Sequence, residues 1–176
     1  MEALDDPARG IRVLCDSACR VGEPNVQRLP LFTDATLTKQ DPYCNVDLLV
    51  LRESEVRVVL EVDETGYSPT KICGKFLATA LSRHFRHPRL APEPVPLSVR
   101  TLFVQVIPCS DKSLPRSQKS AQVLSLERSI RAVLPIHGST VSEYLLLNGN
   151  TNDFRVERAP GQELIEHVRK ALGRRT

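Results

Sequence analysis

Carboxylates and amines recur at short spacing in one part of the chain. In "VVLEVDETGYSPTKICGK", residues 58–75, Glu61 and Asp63 stand two apart at the end of an apolar run, and Lys71 and Lys75 follow a turn. Asp47, at the head of "DLLVL", supplies a third carboxylate. Oxygen ligands of this kind suit Mg²⁺, with Mn²⁺ as the alternative, and Mg²⁺ keeps waters and shares its shell with phosphate oxygens. An ion so held polarises a phosphoryl group and acidifies a bound water. A lysine beside it would hold the phosphate under attack. The expected metal ligands are therefore Asp47, Glu61 and Asp63. The expected catalytic set is Asp47, Glu61 and Lys75, with Lys71 acting mainly by long-range attraction.

These residues need a hairpin and a helix to bring them together. "VDLLVLRESEVRVVLEVD" reads as two strands around a polar turn at Glu53 and Ser54. A turn centred there sets Asp47 opposite Leu60 and diagonal to Glu61. Strict alternation puts Val56, Val58 and Leu60 on one side and Arg57, Val59, Glu61 and Asp63 on the other. "YSPTKICGKFLATALSRHF" reads as a helix capped by Ser68, with Pro69 at its first position and a stripe of Ile72, Phe76, Ala80 and Leu81. Lys71 and Lys75 share a face of that helix, and its first turn favours an anion. Gly74 is expected to mark a close approach of helix and sheet.

Elsewhere the pattern is coarser. Residues 11–21 read as a partly helical apolar segment, with Ile11, Leu14, Cys15, Ala18 and Cys19 on one side, and "PLFTDATL" as a short edge strand. The proline-rich "RHPRLAPEPVP" reads as a loop. "TLFVQVIP" is a buried strand, "SQKSAQVLSLERSIRAVLP" a helix, "VSEYLLLNG" a strand and "PGQELIEHVRKAL" a helix. Strands alternating with helices predict an α/β layer around a partly parallel mixed β-sheet. The 176 residues suit one domain over 1–176, with a flexible C-terminal tail.

Composition excludes more than it selects. The net charge of +3 does not mark a nucleic-acid binder by itself, although Arg83, His84, Arg86, His87 and Arg89 form a basic cluster. Gly66 and Gly74 stand alone, without a glycine-rich phosphate loop, so no organic cofactor is expected. No run of apolar residues is long enough for a membrane span, and the start lacks a leader-like apolar segment, so a cytoplasmic protein is expected. Five cysteines without a CxxC pair predict buried or half-buried thiols, because Cys15 and Cys19 lack a second pair to complete a metal site. Among weaker candidates, Gln105 interrupts a central strand and Lys39 lies on the approach to Asp47. Ser110 and Asp111 read as turn caps, His84 and His87 as a solvated helix end.

The acidic residue at the start of one hairpin strand (Asp47), with a second in "LEVD" (Glu61) on the next, resembles the PD-(D/E)xK nuclease superfamily, the restriction-endonuclease-like fold. The order of elements over residues 10–148 is similar to that fold as well. The resemblance implies Mg²⁺-dependent hydrolysis of DNA phosphodiester bonds. It departs from the family pattern at Asp63, where the lysine of the motif would stand. Some members supply the basic residue from the neighbouring helix, a role open here to Lys75 or Lys71. With neither in reach, the resemblance implies an inactive nuclease-fold module for nucleic-acid binding or protein assembly. Small nucleases of this type often act as homodimers, because one site cuts one strand.

Overall fold

The computed structural model describes residues 4–16, 28–35, 42–63, 68–107, 116–149 and 157–173. In chain order the elements are β1 (Ile11–Cys15), β2 (Leu29–Phe32), β3 (Cys44–Val46), β4 (Leu48–Arg52), β5 (Glu55–Val62), α1 (Pro69–Leu81), β6 (His84–His87), β7 (Ala91–Ile107), α2 (Arg116–Ala132), β8 (Val141–Asn148) and α3 (Ala159–Ala171). The protein is α/β, with a mostly antiparallel mixed sheet flanked by helices. The strands run in the order β1-β4-β5-β7-β6-β2-β3, with β8 also paired to β7. The last third of β7 lies parallel to both β5 and β8, and the remaining pairs are antiparallel. Among the described residues no helix is long and apolar enough to cross a membrane.

Each face of the sheet buries its own core. On one side Val59, Phe103 and Tyr144 meet Ile72 and Phe76 of α1 and Val123 and Ile130 of α2. On the other, Val58, Leu60, Val104 and Leu145 pack with Leu164, Ile165 and Val168 of α3. With both faces covered, β4, the end of β5 and the end of β7 read as continuous apolar runs rather than alternating ones.

The predicted hairpin forms, but its register differs by one residue. Glu53 adopts a left-handed conformation (φ 57°) in the tight turn, and its N–H donates to Gly10 O at 2.7 Å, tying the turn to the start of β1. Arg52 pairs Glu55 and Leu51 pairs Val56, yet Val50 pairs Val58, so Arg57 is an extra residue on β5. This β-bulge breaks the expected alternation: Val56 joins the face of Val59, opposite Val58 and Leu60. The buried Thr101 hydroxyl donates to Ser98 O at 2.7 Å and lies 3.2 Å from Val56 O, so the bulge's carbonyl stays within a donor's reach.

Three further expectations need correction. Residues 11–15 form a strand, not a helix: Ile11 and Val13 face the α3 core, Leu14 faces the other, and each pairs along β4. β-branched Ile and Val at alternate positions favour that geometry, and the segment is too short for a helical period to outweigh it. Residues 17–21 of that predicted segment lie outside the described residues. β2 is not at the edge but sits between β3 and β6. The proline-rich loop is instead β6, a turn and the start of β7, with Phe85 paired to Val95 and His84 to Pro96. Leu97 N–H donates to Arg83 O on the β6 side, so Pro96 and Pro94, at alternate positions, turn their missing donors away from β6. His84 and His87 accordingly lie on a strand, not at a helix end.

Candidate active site

The bulge at Arg57 decides which side chains meet. With Leu48 paired to Leu60, continuing the ladder by one residue sets Asp47 opposite Glu61. Directly opposed residues project to the same face, whereas the unbulged register would have turned Asp47 and Glu61 to opposite faces. The Asp47 carboxylate is fixed by its neighbours: Val62 N–H donates to its Oδ2 at 2.6 Å, and Asp16 N–H donates to its backbone oxygen at 2.8 Å. Beyond the strand, Asp63 N–H continues the parallel ladder by donating to Val106 O at 2.8 Å.

The lysine comes from the helix. Lys75 Nζ donates to Glu61 Oε2 at 3.0 Å, crossing from α1 to the end of β5. Ile72, Phe76, Thr79 and Ala80 are buried, which turns the neighbouring position 75 toward the sheet end. Leu81, expected in that stripe, is 43% exposed. Lys71 lies exposed on the first turn, so Lys75 and not Lys71 makes the ion pair with Glu61. Pro69 occupies the helix start as predicted, but the Ser68 side chain makes no capping bond; its carbonyl accepts from Ile72 N–H. Gly74 is also not a close-approach glycine, because a Cβ there would meet nothing within 4 Å among the described residues.

The electrostatics of the cluster are unbalanced. Glu61 and Asp63 are each only 5% exposed. Burial pushes the Glu61 carboxyl up to about 8; Lys75 pulls it down, but the Asp47 charge adds to the rise. Burial would lower Lys75, yet the charge of Glu61, with smaller contributions from Asp63 and Asp47, raises it. Burial, more than the neighbouring charges, sets the rise at Glu61. Among the described residues no group of three or more His, Cys, Asp or Glu is placed to hold a metal ion. Asp47 and Glu61 are the two carboxylates in contact, and the charge of Asp63 reaches Lys75.

Gln105 stands beside this pair. It is Glu61's partner in the parallel ladder and 1% exposed. Tyr144 OH donates to Gln105 Oε1 at 2.7 Å, which orients the amide, while Gln105 Nε2 has no hydrogen-bond partner among the described residues. Burial pushes the Tyr144 hydroxyl well above the usual phenol range, so it remains a donor. Neither Tyr144 nor Cys44 stood out in the sequence. The Cys44 thiol is raised by burial, lowered by its contact with Ser82 at 3.7 Å, and raised by the Glu61 charge, which places it at the border of the cluster. A tyrosine two residues before the position paired to Gln105 was the available signal, but it required the β7–β8 register. Among the described cysteines, Cys15 and Cys44 are half-buried thiols and Cys73 is exposed. Lys39, Ser110 and Asp111 lie outside the described residues.

No family model matches the chain, and no curated protein or solved structure matches it.

Proposed function

We propose that the protein is a Mg²⁺-dependent deoxyribonuclease of the restriction-endonuclease-like type, cutting DNA phosphodiester bonds at Asp47, Glu61 and Lys75. The observation that carries this reading is the 3.0 Å contact between Lys75 Nζ and Glu61 Oε2. An amine from α1 stands against the second acid of the motif, although the motif's own lysine position holds Asp63.

The donor set fits a divalent cation. Asp47 commits one oxygen to Val62 N–H and Glu61 one to Lys75, and the upward pressure on Glu61 is what an added positive charge would relieve. Asp47 and Glu61 would hold Mg²⁺ or Mn²⁺, with phosphate and water oxygens completing the shell. When bound, the ion would polarise the phosphoryl group and supply an acidified water. Lys75 carries charge to the attacked phosphate, where a positioned cation is worth most as charge develops in the transition state. Gln105 presents a fixed N–H donor beside Glu61. The charge of Glu61, with a smaller contribution from Asp63, favours the charged form of Lys75.

The test is cleavage of a panel of single-stranded, duplex and branched DNA in Mg²⁺ or Mn²⁺ by the native protein and Glu61→Gln. Cleavage by the native chain that the variant loses supports the reading. A folded native protein inactive on the whole panel favours the alternative, a nuclease-fold module for nucleic-acid binding or protein assembly.

A further inference from the structure

A groove lies on the outer face of the small sheet formed by β3, β2, β6 and the start of β7. Leu29 and Leu31 of β2 turn inward and are fully buried, so Pro30 and Phe32 turn outward. Asn45, paired to Pro30, shares that outer face. The β6–β7 turn adds His87, Pro88 and Arg89, and Arg28 and Pro42 close the remaining sides of a groove of about 590 Å³.

Two properties of this groove point to its occupant. Among the described residues no acidic side chain lines it, while Arg28 and Arg89 do, and neither makes an ion pair. His87 adds a neutral donor: Arg89 N–H and Leu90 N–H both approach its Nδ1 at 3.2 Å, which assigns the ring proton to Nε2. Besides Asn45, the rest of the described wall is Phe32 and the flat rings of prolines. Cationic groups along a groove with apolar and aromatic faces match an unstacked nucleotide, whose phosphates need charge and whose base needs a flat apolar contact. A duplex offers mainly its phosphates to such a surface and leaves the apolar wall unused. Asn45 also lies only two residues before Asp47, at most about 7 Å of extended chain.

We propose that this groove binds an unpaired stretch of nucleic acid, with Arg28 and Arg89 on its phosphates and Phe32 and the prolines against a base. The inference rests on the preceding section only for nucleic acid as the polyanion; it does not need hydrolysis.

The experiment uses the full chain in EDTA, so that nothing is cut. Fluorescence anisotropy compares a short labelled oligonucleotide, free and annealed to its complement, over a salt series. The single strand should bind more tightly than the duplex. Replacing both arginines (Arg28→Ala with Arg89→Ala) should weaken single-strand binding about tenfold and reduce the logarithmic salt slope by about 1.4, two phosphate contacts' worth. Phe32→Ala should weaken it about tenfold with the slope unchanged, and Phe32→Leu should do so if the alanine variant does not fold. Arg169→Ala, on the α3 side, should bind like the native chain. Tighter binding of the duplex, or an arginine pair variant with native affinity and slope, overturns the proposal. Strand binding by a chain that cuts no DNA would leave the groove standing and remove the nuclease reading. Cleavage with native strand binding in the arginine variant would do the reverse.

Discussion

Glu61 should make the protein less stable as pH rises, and by a large amount. In an unfolded chain its carboxyl titrates at 4.5, and in the folded protein at about 8. Below pH 4.5 it is protonated in both states, so nothing is lost. Between the two values the unfolded chain gives up the proton and the folded chain keeps it, so stability falls with pH. Above about 8 the loss is complete. At 1.36 kcal/mol per pH unit, the interval amounts to about 5 kcal/mol. That is comparable to the whole stability of a marginal domain. Glu61→Gln removes the titrating group while keeping its shape, so the comparison isolates it from every other carboxylate. Urea unfolding of both proteins in EDTA, from pH 5 to pH 9, should show the native stability falling relative to the variant by about 1 kcal/mol per pH unit up to pH 8 and levelling beyond it. Saturating Mg²⁺ at pH 8 should restore the native protein and not the variant. Parallel pH profiles for the two proteins would refute the argument that burial beside Asp47 holds Glu61 protonated.

The same charge balance predicts proton-linked ion binding: calorimetry in buffers of different ionisation enthalpy should show about one proton released per Mg²⁺ at pH 6–7 and almost none above pH 9. Asp47→Ala should abolish that binding, and equal heats from native and variant would contradict the ligand assignment. Gly74→Ala should stabilise the protein by about 1 kcal/mol, raising Tm by about 2–4 °C, because the site is exposed, helical and open to a Cβ. A lower Tm would mean that the helix packs there after all.

The sequence made some of this legible and hid the rest for physical reasons. The hairpin, α1, the end of β7, α2, β8 and α3 were readable because each carries a sustained apolar period or run bounded by breakers. The bulge was not readable. Arg57 looks like an ordinary outward residue of an alternating strand, and only the pairing of Val50 with Val58 shows that it is extra. That single insertion turns Asp47 onto the face of Glu61, so the acidic pair was expected from an approximate register that would have separated it. Five residues at the start of the chain fit a helical stripe as well as a strand, and pairing with β4 decided between them. Prolines in the β6–β7 region suggested a loop, because a one-dimensional pattern does not show which edge of a strand needs donors. Lys75 could be anticipated, since a helix that follows a strand after a short turn can return to the strand's end. The Gln105–Tyr144 contact depends on two strands brought together across α2, and no local spacing announces it.

In the proposed nuclease, α1 supplies through Lys75 the lysine that the motif would place at position 63. The most direct measurement is the single-turnover rate of Mg²⁺-dependent DNA cleavage by the native protein, Lys75→Ala and Lys71→Ala, on a substrate that the native protein cuts. Lys75→Ala should slow the chemical step by about two orders of magnitude at saturating enzyme. Lys71→Ala should leave that step near the native rate and weaken association in a salt-dependent way. Native-rate cleavage by Lys75→Ala, or the larger loss in Lys71→Ala, would contradict the account.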